Sequence, residues 1–521
     1  MGAAAAFDQP TKGRPARVVG LLDAHRCVTR AQYLPTKFRN FYEKSEEMIV
    51  QYSRSYFLLL IGLGITVCMQ VSKRVVSPIA DEIIGWNRDF HDTFLKTYWQ
   101  KKPLLIRKAI PSIETALKLT LPDDLLQLAC EDDVESRLIV KNERNTYEKT
   151  YGPFEEAELL KSGKRNILPL RDWTILVQEV DRHVPAVADI WDTYFNFIPT
   201  WRRDDIMISY ASSGGGIGGH VDNYDVFLVQ GKGKREWSIE NQFLTFDQEK
   251  SREIPNVDTR LLANFNSHQS WILEPGDMLY LPPRIPHQGI SFSFDCTTIS
   301  LGFRAPTYRS MMTAFMDYVC QNIINEQDIY ADPDLLCQDS VSYIPNHVSD
   351  SISRKLGDYC IKALNDTAGF NSFLGTYLTT PLRMATRTHR PFFIDTVAKQ
   401  DEVELVDDEL PVSVSNPTFK VVTEIKYSNT DMVINDLLSD KIVLRRAEGI
   451  KMAYTGEVDN SQVIFINGEA FSLPRNIGNA GALLCDNRLV TGDLVKTMNN
   501  FLFLRLLSNL IDEGYYYPVK K

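Results

Sequence analysis

No two of the eight cysteines, Cys27, Cys68, Cys130, Cys296, Cys320, Cys337, Cys360 and Cys485, form a C-x-x-C pair. Their scatter excludes a cysteine zinc site and a disulfide framework, and it points to a reducing compartment. The chain also lacks an excess of positive charge: 57 Lys and Arg stand against 67 Asp and Glu, a net charge of −10. Nucleic-acid backbones are bound by basic surfaces, so direct nucleic-acid binding by the whole chain is not expected. Long apolar runs are missing too. The strongest, Tyr56–Met69 (YFLLLIGLGITVCM), is 14 residues long, and extends at most toward Val71. A membrane span needs roughly 20.

What is present is unevenly distributed. At 521 residues the chain should hold two to four units. Residues 1–76 carry 11 Lys and Arg against 5 Asp and Glu, a net of +6, so the remainder stands at −16. A basic head on an acidic body reads as a targeting or anchoring extension rather than part of the fold. Three readings stay open for it: a mitochondrial presequence, a membrane anchor making contact through residues 56–71, or a non-native extension. The expected location is correspondingly the mitochondrion or the cytoplasm.

The body begins near Val76. Helical apolar spacing covers 84–99, followed by a turn and a short strand in QKKPLLIRK. Residues 122–131 and 154–162 read as helices, the second with Pro153 near its start, and 173–200 reads as largely helical up to Pro199. From 205 the period changes to that of strands. DIMISYA, DVFLVQ, REWSIE, SWILEPGDMLYLPP and ISFSFDCTTISLGF are separated by Gly- and Pro-rich turns, the signature of a barrel or sandwich. Helical spacing returns after Pro306 and runs to about 398. An acidic linker occupies 399–430, and a small mixed unit fills 431–521. With 10 basic and 11 acidic residues and no basic stripe, that last unit suits a structural or protein-interaction role.

The chemistry concentrates in two segments. In SSGGGIGGHVDNYDVFLVQ (212–230), residues i and i+2 of a strand share a face, so His220, Asp222 and Tyr224 should project together. Imidazole plus carboxylate is two thirds of the facial triad that holds non-haem iron and leaves positions open. An H-x-D pair alone is a weak signal, more often a surface His beside a solvated Asp. The second segment changes the weighting. WILEPGDMLYLPPRIPHQG (271–289) runs through a turn, an apolar strand and a proline-rich bend to His287, and brings the third ligand. The remaining histidines lack such a context. A keto acid that chelates iron at one end leaves a carboxylate at the other, which calls for a buried cation. In KGKREWSIE, Arg235 shares a face with Trp237 and Ile239 and is the candidate clamp, with Lys234 on the solvent side. Ser300 offers an additional hydroxyl.

These runs, with FLKTYWQKKPLLIRK, YGPFEE, WRRDDIMISY, GGHVDNYDVFLVQGKGKREW and SLGFRAP, resemble the bacterial ribosomal-protein arginine hydroxylases, the JmjC-related, cupin-like ribosomal oxygenases. The resemblance runs in order over about residues 84–518, through VIFINGEAF and LIDEGYYYP. It implies an α+β fold: a double-stranded β-helix over 77–306 with flanking helices, a helical dimerisation region over 307–398 that makes a homodimer, and a winged-helix-like unit over 431–521. It also implies Fe(2+) on His220, Asp222 and His287, 2-oxoglutarate on Arg235 with O2 as the other cosubstrate, and an arginine of a large-subunit ribosomal protein as substrate. A guanidinium substrate needs anionic and aromatic partners, for which Tyr224, Asp204 and Asp205 are the candidates. Ser213 and Gly219 stand where the family commonly has proline, which bears on loop rigidity. Two other readings remain: an oxygenase on another protein, as histidyl hydroxylase or lysine demethylase, and a non-catalytic cupin-like binding module. The intact triad and Arg235 speak against the last.

Overall fold

The computed structural model describes residues 79–111, 113, 122–142, 146–159, 168–254, 261–324, 327, 329, 350–381, 429–456 and 462–521. The basic head 1–76 with its apolar segment, and all but the last two residues of the acidic linker 399–430, lie outside the described residues. Among the described residues no helix is long and apolar enough to cross a membrane.

The chain enters through β1 (Asp81–Ile84), α1 (Arg88–Thr97) and β2 (Leu104–Arg107). The helix expected over 84–99 is therefore shorter, because Asn87 caps it, its side chain accepting from the Phe90 amide, while residues 81–84 pair in parallel with β2. Then follow α2 (Pro122–Leu128), β3 (Ser136–Lys141), β4 (Tyr147–Tyr151), α3 (Glu156–Leu159), β5 (Trp173–Val177), α4 (Val180–His183) and α5 (Pro185–Tyr194). The largely helical reading of 173–200 fails at its start. WTILV is a strand, buried at every position between β3 and residues 208–211. A fully buried apolar run carries no alternation, so its period cannot separate helix from strand.

The barrel follows: β6 (Arg203–Ala211), β7 (His220–Val221), β8 (Asp225–Lys232), β9 (Arg235–Ile239), α6 (Phe246–Arg252), β10 (Gln269–Leu273), β11 (Met278–Leu281), β12 (Pro286–Ser291) and β13 (Cys296–Phe303). A nine-stranded sheet, β1-β2-β11-β8-β13-β6-β5-β3-β4, and a four-stranded sheet, β10-β9-β12-β7, make the expected double-stranded β-helix. Strand alternation divides the apolar residues between two cores. From β8, Phe227 and Val229 join Phe94, Trp191, Ile206, Ile208, Ile299 and Leu301 in a core under the helices. Val226 and Leu228 join Trp237, Ile239, Leu273, Leu279 and Leu281 between the sheets.

One polar knot lies in the helix-side core. Asp225, fully buried, accepts from Tyr280 Oη at 2.6 Å, Arg202 Nη2 at 2.8 Å and Gln100 Nε2 at 3.2 Å. Burial pushes its carboxyl up to about 6 despite these donors. The knot ties the end of α1 to β8 and β11, the strands that leave Asp222 and lead to His287.

Beyond the barrel come α7 (Tyr308–Asn322), α8 (Asp350–Leu364) and α9 (Thr367–Thr379). The C-terminal unit comprises α10 (Thr430–Leu438), β14 (Ile442–Arg446), β15 (Met452–Thr455), β16 (Val463–Ile466), β17 (Glu469–Ser472), α11 (Ala480–Asp486), β18 (Leu489–Val490), α12 (Gly492–Met498), α13 (Phe501–Asp512) and β19 (Tyr516–Lys520). Its helices close over the sheets β18-β14-β19 and β15-β16-β17 around Leu437, Leu444, Ile464, Leu484, Phe503 and Leu507. It docks on α5 through Arg445, whose Nη2 donates to Asp189 at 2.8 Å and to the Pro185 carbonyl at 2.9 Å.

Candidate metal centre

Two strands of the small sheet bring the histidines together. β7 pairs antiparallel with β12 so that His220 lies directly opposite His287, and their ring centroids are 4.2 Å apart. Each ring uses Nδ1 on the carbonyl two residues before it: His220 on Gly218 and His287 on Ile285, both at 3.0 Å. That bond assigns the proton to Nδ1 and leaves each Nε2 lone pair free, the tautomer metal ligation needs. Asp222 Oδ2 stands 3.5 Å from His287 Nε2, and one ligand atom from each of the three residues falls within 4.8 Å of the others. Among the described residues this is the one group of three or more His, Cys, Asp or Glu so arranged.

The local route to this geometry differs from the expected strand. β7 ends at Val221, and the chain bends at Asn223 and Tyr224, just after Asp222, whose carbonyl accepts from the Arg284 amide at 2.8 Å. Asp222 thus lies one residue past the strand's end, still grouped with His220 as the spacing predicts, while Tyr224 falls in the bend. Gly214 and Gly218 adopt positive φ in the preceding loop, which a side chain would resist. His287 is 2% exposed. Burial, and then the neighbouring His220, lowers its imidazole to about 4, so it is neutral at ordinary pH.

Arg235 lies on the buried face of β9 with Trp237 and Ile239, as expected, and Lys234 points outward to Glu274 at 2.6 Å. Arg235 is 3% exposed, its guanidinium 5.9 Å from the Trp237 ring. Its Nε and Nη2 find no hydrogen-bond partner among the described residues. An unpaired buried cation is costly, so this one marks a place for an anion. Gly289 on β12 lies against the Trp237 ring, where a Cβ would come within 2.8 Å. Ser300, buried in β13 and paired with Leu228 and Met207, turns into the barrel because Ile299 and Leu301 turn outward.

The three substrate-side candidates lie near one another in different settings. Asp205 follows the inward alternation of β6 and lies 3.5 Å from where a Cβ on Gly302 would be. Asp204 engages Arg304 at 3.3 Å and Lys451 at 3.9 Å, and borders a cleft lined also by Arg203, Arg446 and Arg488. Tyr224 is 36% exposed, with its hydroxyl hydrogen-bonded toward Asp222. Burial, then the charges of Asp222, Asp205 and Asp204, raises it well above the usual phenol range, so it stays protonated. Arg284 and Trp237 are site residues that pattern reasoning gave no role. Arg284 is marked by a positive φ, which sequence does not display.

This chain can now be compared with known proteins. Residues 191–311 match the family described as "JmjC domain", and residues 398–517 match "ROXA-like winged helix". A Haemophilus influenzae protein named "Probable ribosomal oxygenase" is 31% identical over 381 residues, 73% of this chain and 81% of that one. The chain belongs to the ribosomal oxygenase family. An Escherichia coli relative of this ribosomal oxygenase, "Ribosomal protein uL16 3-hydroxylase", is 28% identical over 81% of this chain and 96% of its own. The solved structure of YcfD, described as a ribosomal oxygenase from Escherichia coli in complex with cobalt and 2-oxoglutarate, superposes with a TM-score of 0.61 at 26% identity, covering 82% and 97% of the two chains. The expected JmjC/cupin barrel and winged-helix-like C-terminal unit are borne out, and the enzyme is a dioxygenase of the JmjC class.

The buried, neutral His287 sets a pH dependence. A base whose folded pKa lies near 4 instead of 6.5 takes up its proton later than the unfolded chain does. The metal-free protein should lose stability as pH falls from about 6.5 to about 4, by on the order of 3 kcal/mol from this residue. Denaturant unfolding across that range should show the slope, and His287→Asn should make it shallower. An unchanged slope in the variant would contradict the burial argument.

Proposed function

We propose that this chain is an iron(II)- and 2-oxoglutarate-dependent protein hydroxylase acting on an arginine side chain of a large-subunit ribosomal protein. The observation that carries the reading is the juxtaposition of two cross-strand histidines and Asp222, within 4.8 Å, with the buried, unpaired guanidinium of Arg235 on the neighbouring strand. The donor set fits a metal of the facial-triad type with positions left open. The orphaned guanidinium fits the distal carboxylate of a dicarboxylic keto acid, with Ser300 as a further donor.

In this reading His220, Asp222 and His287 hold the metal, their Nδ1 bonds fixing the ring planes. Arg235 orients the cosubstrate. Bound there, iron(II) with 2-oxoglutarate and dioxygen supplies the oxidant for an unactivated C–H bond. Asp205 on the inner face, with the protonated Tyr224 beside it, receives the substrate's guanidinium, while Asp204, held by Arg304 and Lys451, borders the site. The name of the Escherichia coli relative, a ribosomal-protein hydroxylase, supports the substrate class.

Exposed apolar side chains on the helices after the barrel support a homodimer: Tyr308, Met312 and Met316 on α7, Leu356, Tyr359 and Ile361 on α8, and Phe370 on α9. Such faces are commonly covered by a symmetry mate. Light scattering should give twice the chain mass, and a monomer at assay concentration would contradict it.

The cosubstrate assignment separates two neighbours. Arg235→Ala should raise the apparent 2-oxoglutarate requirement at least about a hundredfold, the equivalent of losing a partner for a buried charge. Lys234→Ala should change it by less than about twofold, since that side chain is solvent-exposed. The reverse pattern would assign the clamp to the wrong residue.

The function is tested by incubating the protein with iron(II), 2-oxoglutarate and peptides of large-subunit ribosomal proteins, followed by mass spectrometry. One oxygen on an arginine, with stoichiometric succinate that His220→Ala or Asp222→Ala abolishes, is the expected result. Oxidation confined to histidine, or loss of methyl groups from lysine, would replace the substrate assignment. No succinate under any condition would leave a binding module.

A further inference from the structure

β7 is two residues long and pairs with β12 only at Val221 and His220. The ladder ends before Asp222, and the support for that residue comes from outside the sheet. Between β9 and β10 the chain makes an excursion whose two described arms, 240–254 and 261–268, reach both ends of the His220–Val221–Asp222 tripeptide.

The first arm acts through Arg284, the residue after the Pro282–Pro283 pair. Its φ is +77°, a conformation glycine adopts freely and other residues resist. The strain is offset by its contacts. The Arg284 amide donates to the Asp222 carbonyl at 2.8 Å, and the Arg284 carbonyl accepts from the Leu244 amide at 2.9 Å. The guanidinium, in a residue 7% exposed, donates from Nε to the Leu244 carbonyl at 2.8 Å. Nη1 reaches Asn223 Oδ1 at 2.6 Å and Glu249 Oε2 at 2.5 Å, and the group lies 4.4 Å over the Phe246 ring. Glu249 is itself fixed on α6, whose start is closed by a reciprocal Thr245–Gln248 capping box.

The second arm holds the other end. The Leu262 amide donates to the Gly219 carbonyl at 2.8 Å. Phe265 packs on Gly219 so closely that a Cβ there would come within 2.8 Å of it. Val221 packs with Leu244 of the first arm and Leu262 of the second. The glycine at 219, where the family commonly has proline, is thus the seat of Phe265.

We infer that Arg284, together with the β9–β10 excursion it anchors, is a positioning device that sets the Asp222 carboxylate against the two histidines. The inference rests on the metal reading above. A ligand that lies past the end of its strand is orientated by its outer contacts, and losing such a contact weakens metal binding about 10- to 100-fold.

The test uses the metal-free full chain titrated with cobalt(II) alone, followed by its visible absorption, with thermal unfolding measured in parallel. Arg284→Gly relieves the backbone strain while removing every guanidinium contact. It should weaken cobalt binding by about 10- to 100-fold and alter the absorption band. Arg107→Ala is the control. It removes the ion pairs to Asp277 and Glu82, and touches none of the ligand-bearing segments. It should lower the unfolding temperature with cobalt affinity unchanged. Wild-type cobalt affinity in folded Arg284→Gly would overturn the proposal. If that variant does not fold, Glu249→Gln decides, with weakening supporting the proposal and unchanged affinity overturning it. If the wild type takes up no cobalt, or His220→Ala takes it up equally well, the metal reading falls and carries this proposal with it.

Discussion

Much of this site depends on one pairing, that of β7 with β12. It sets His220 opposite His287 across two adjacent strands, so the two rings meet at the distance a metal would bridge. Neither ring is free to turn, because each donates Nδ1–H to a carbonyl two residues back in its own chain. The same local bond, made twice, leaves two Nε2 atoms converging. Asp222 has no such ladder beneath it, and its placement passes to the turn that follows it and to Arg284.

The barrel serves this pairing by dividing its residues between two environments. The outer faces of β6, β8 and β13 bury Ile206, Phe227, Val229, Ile299 and Leu301 under the helices, and this core anchors the large sheet. The inner face carries apolar side chains at one end, Leu228, Leu279 and Trp237 among them, and chemistry at the other. Arg235 is the junction between these regimes. It is buried among apolar neighbours yet lacks a partner for two of its nitrogens among the described residues, a combination that favours an anion beside it. The C-terminal unit approaches the same region from outside, with Lys451 near Asp204, so the substrate side of the site is bordered by both units.

Some residues were legible in the primary structure because their spacing alone dictates their chemistry. The H-x-D pair, the EPGD turn leading to a proline-rich bend and His287, and the alternation of Arg235, Trp237 and Ile239 against Lys234 all follow from the period-two geometry of strands, and the structure places each residue on the face expected. Other readings failed where the period carried no information. WTILV at 173–177 was assigned to a helix and is a strand, because burial on both faces removes the alternation by which strands are recognised. Tyr224, expected on one strand with His220 and Asp222, lies instead in the bend at residues 223 and 224 that follows the strand's end at Val221.

By itself, then, the sequence determined the candidate metal-ligating side chains, the buried cation and the alternating barrel strands, since these are properties of residue type and local spacing. Only the tertiary structure decided how they meet. The opposition of His220 and His287 depends on a register between segments separated by more than sixty residues, and the angle of Asp222 depends on Arg284 and an excursion from a third strand. Contacts between distant segments are set by packing in three dimensions, and no local period encodes them.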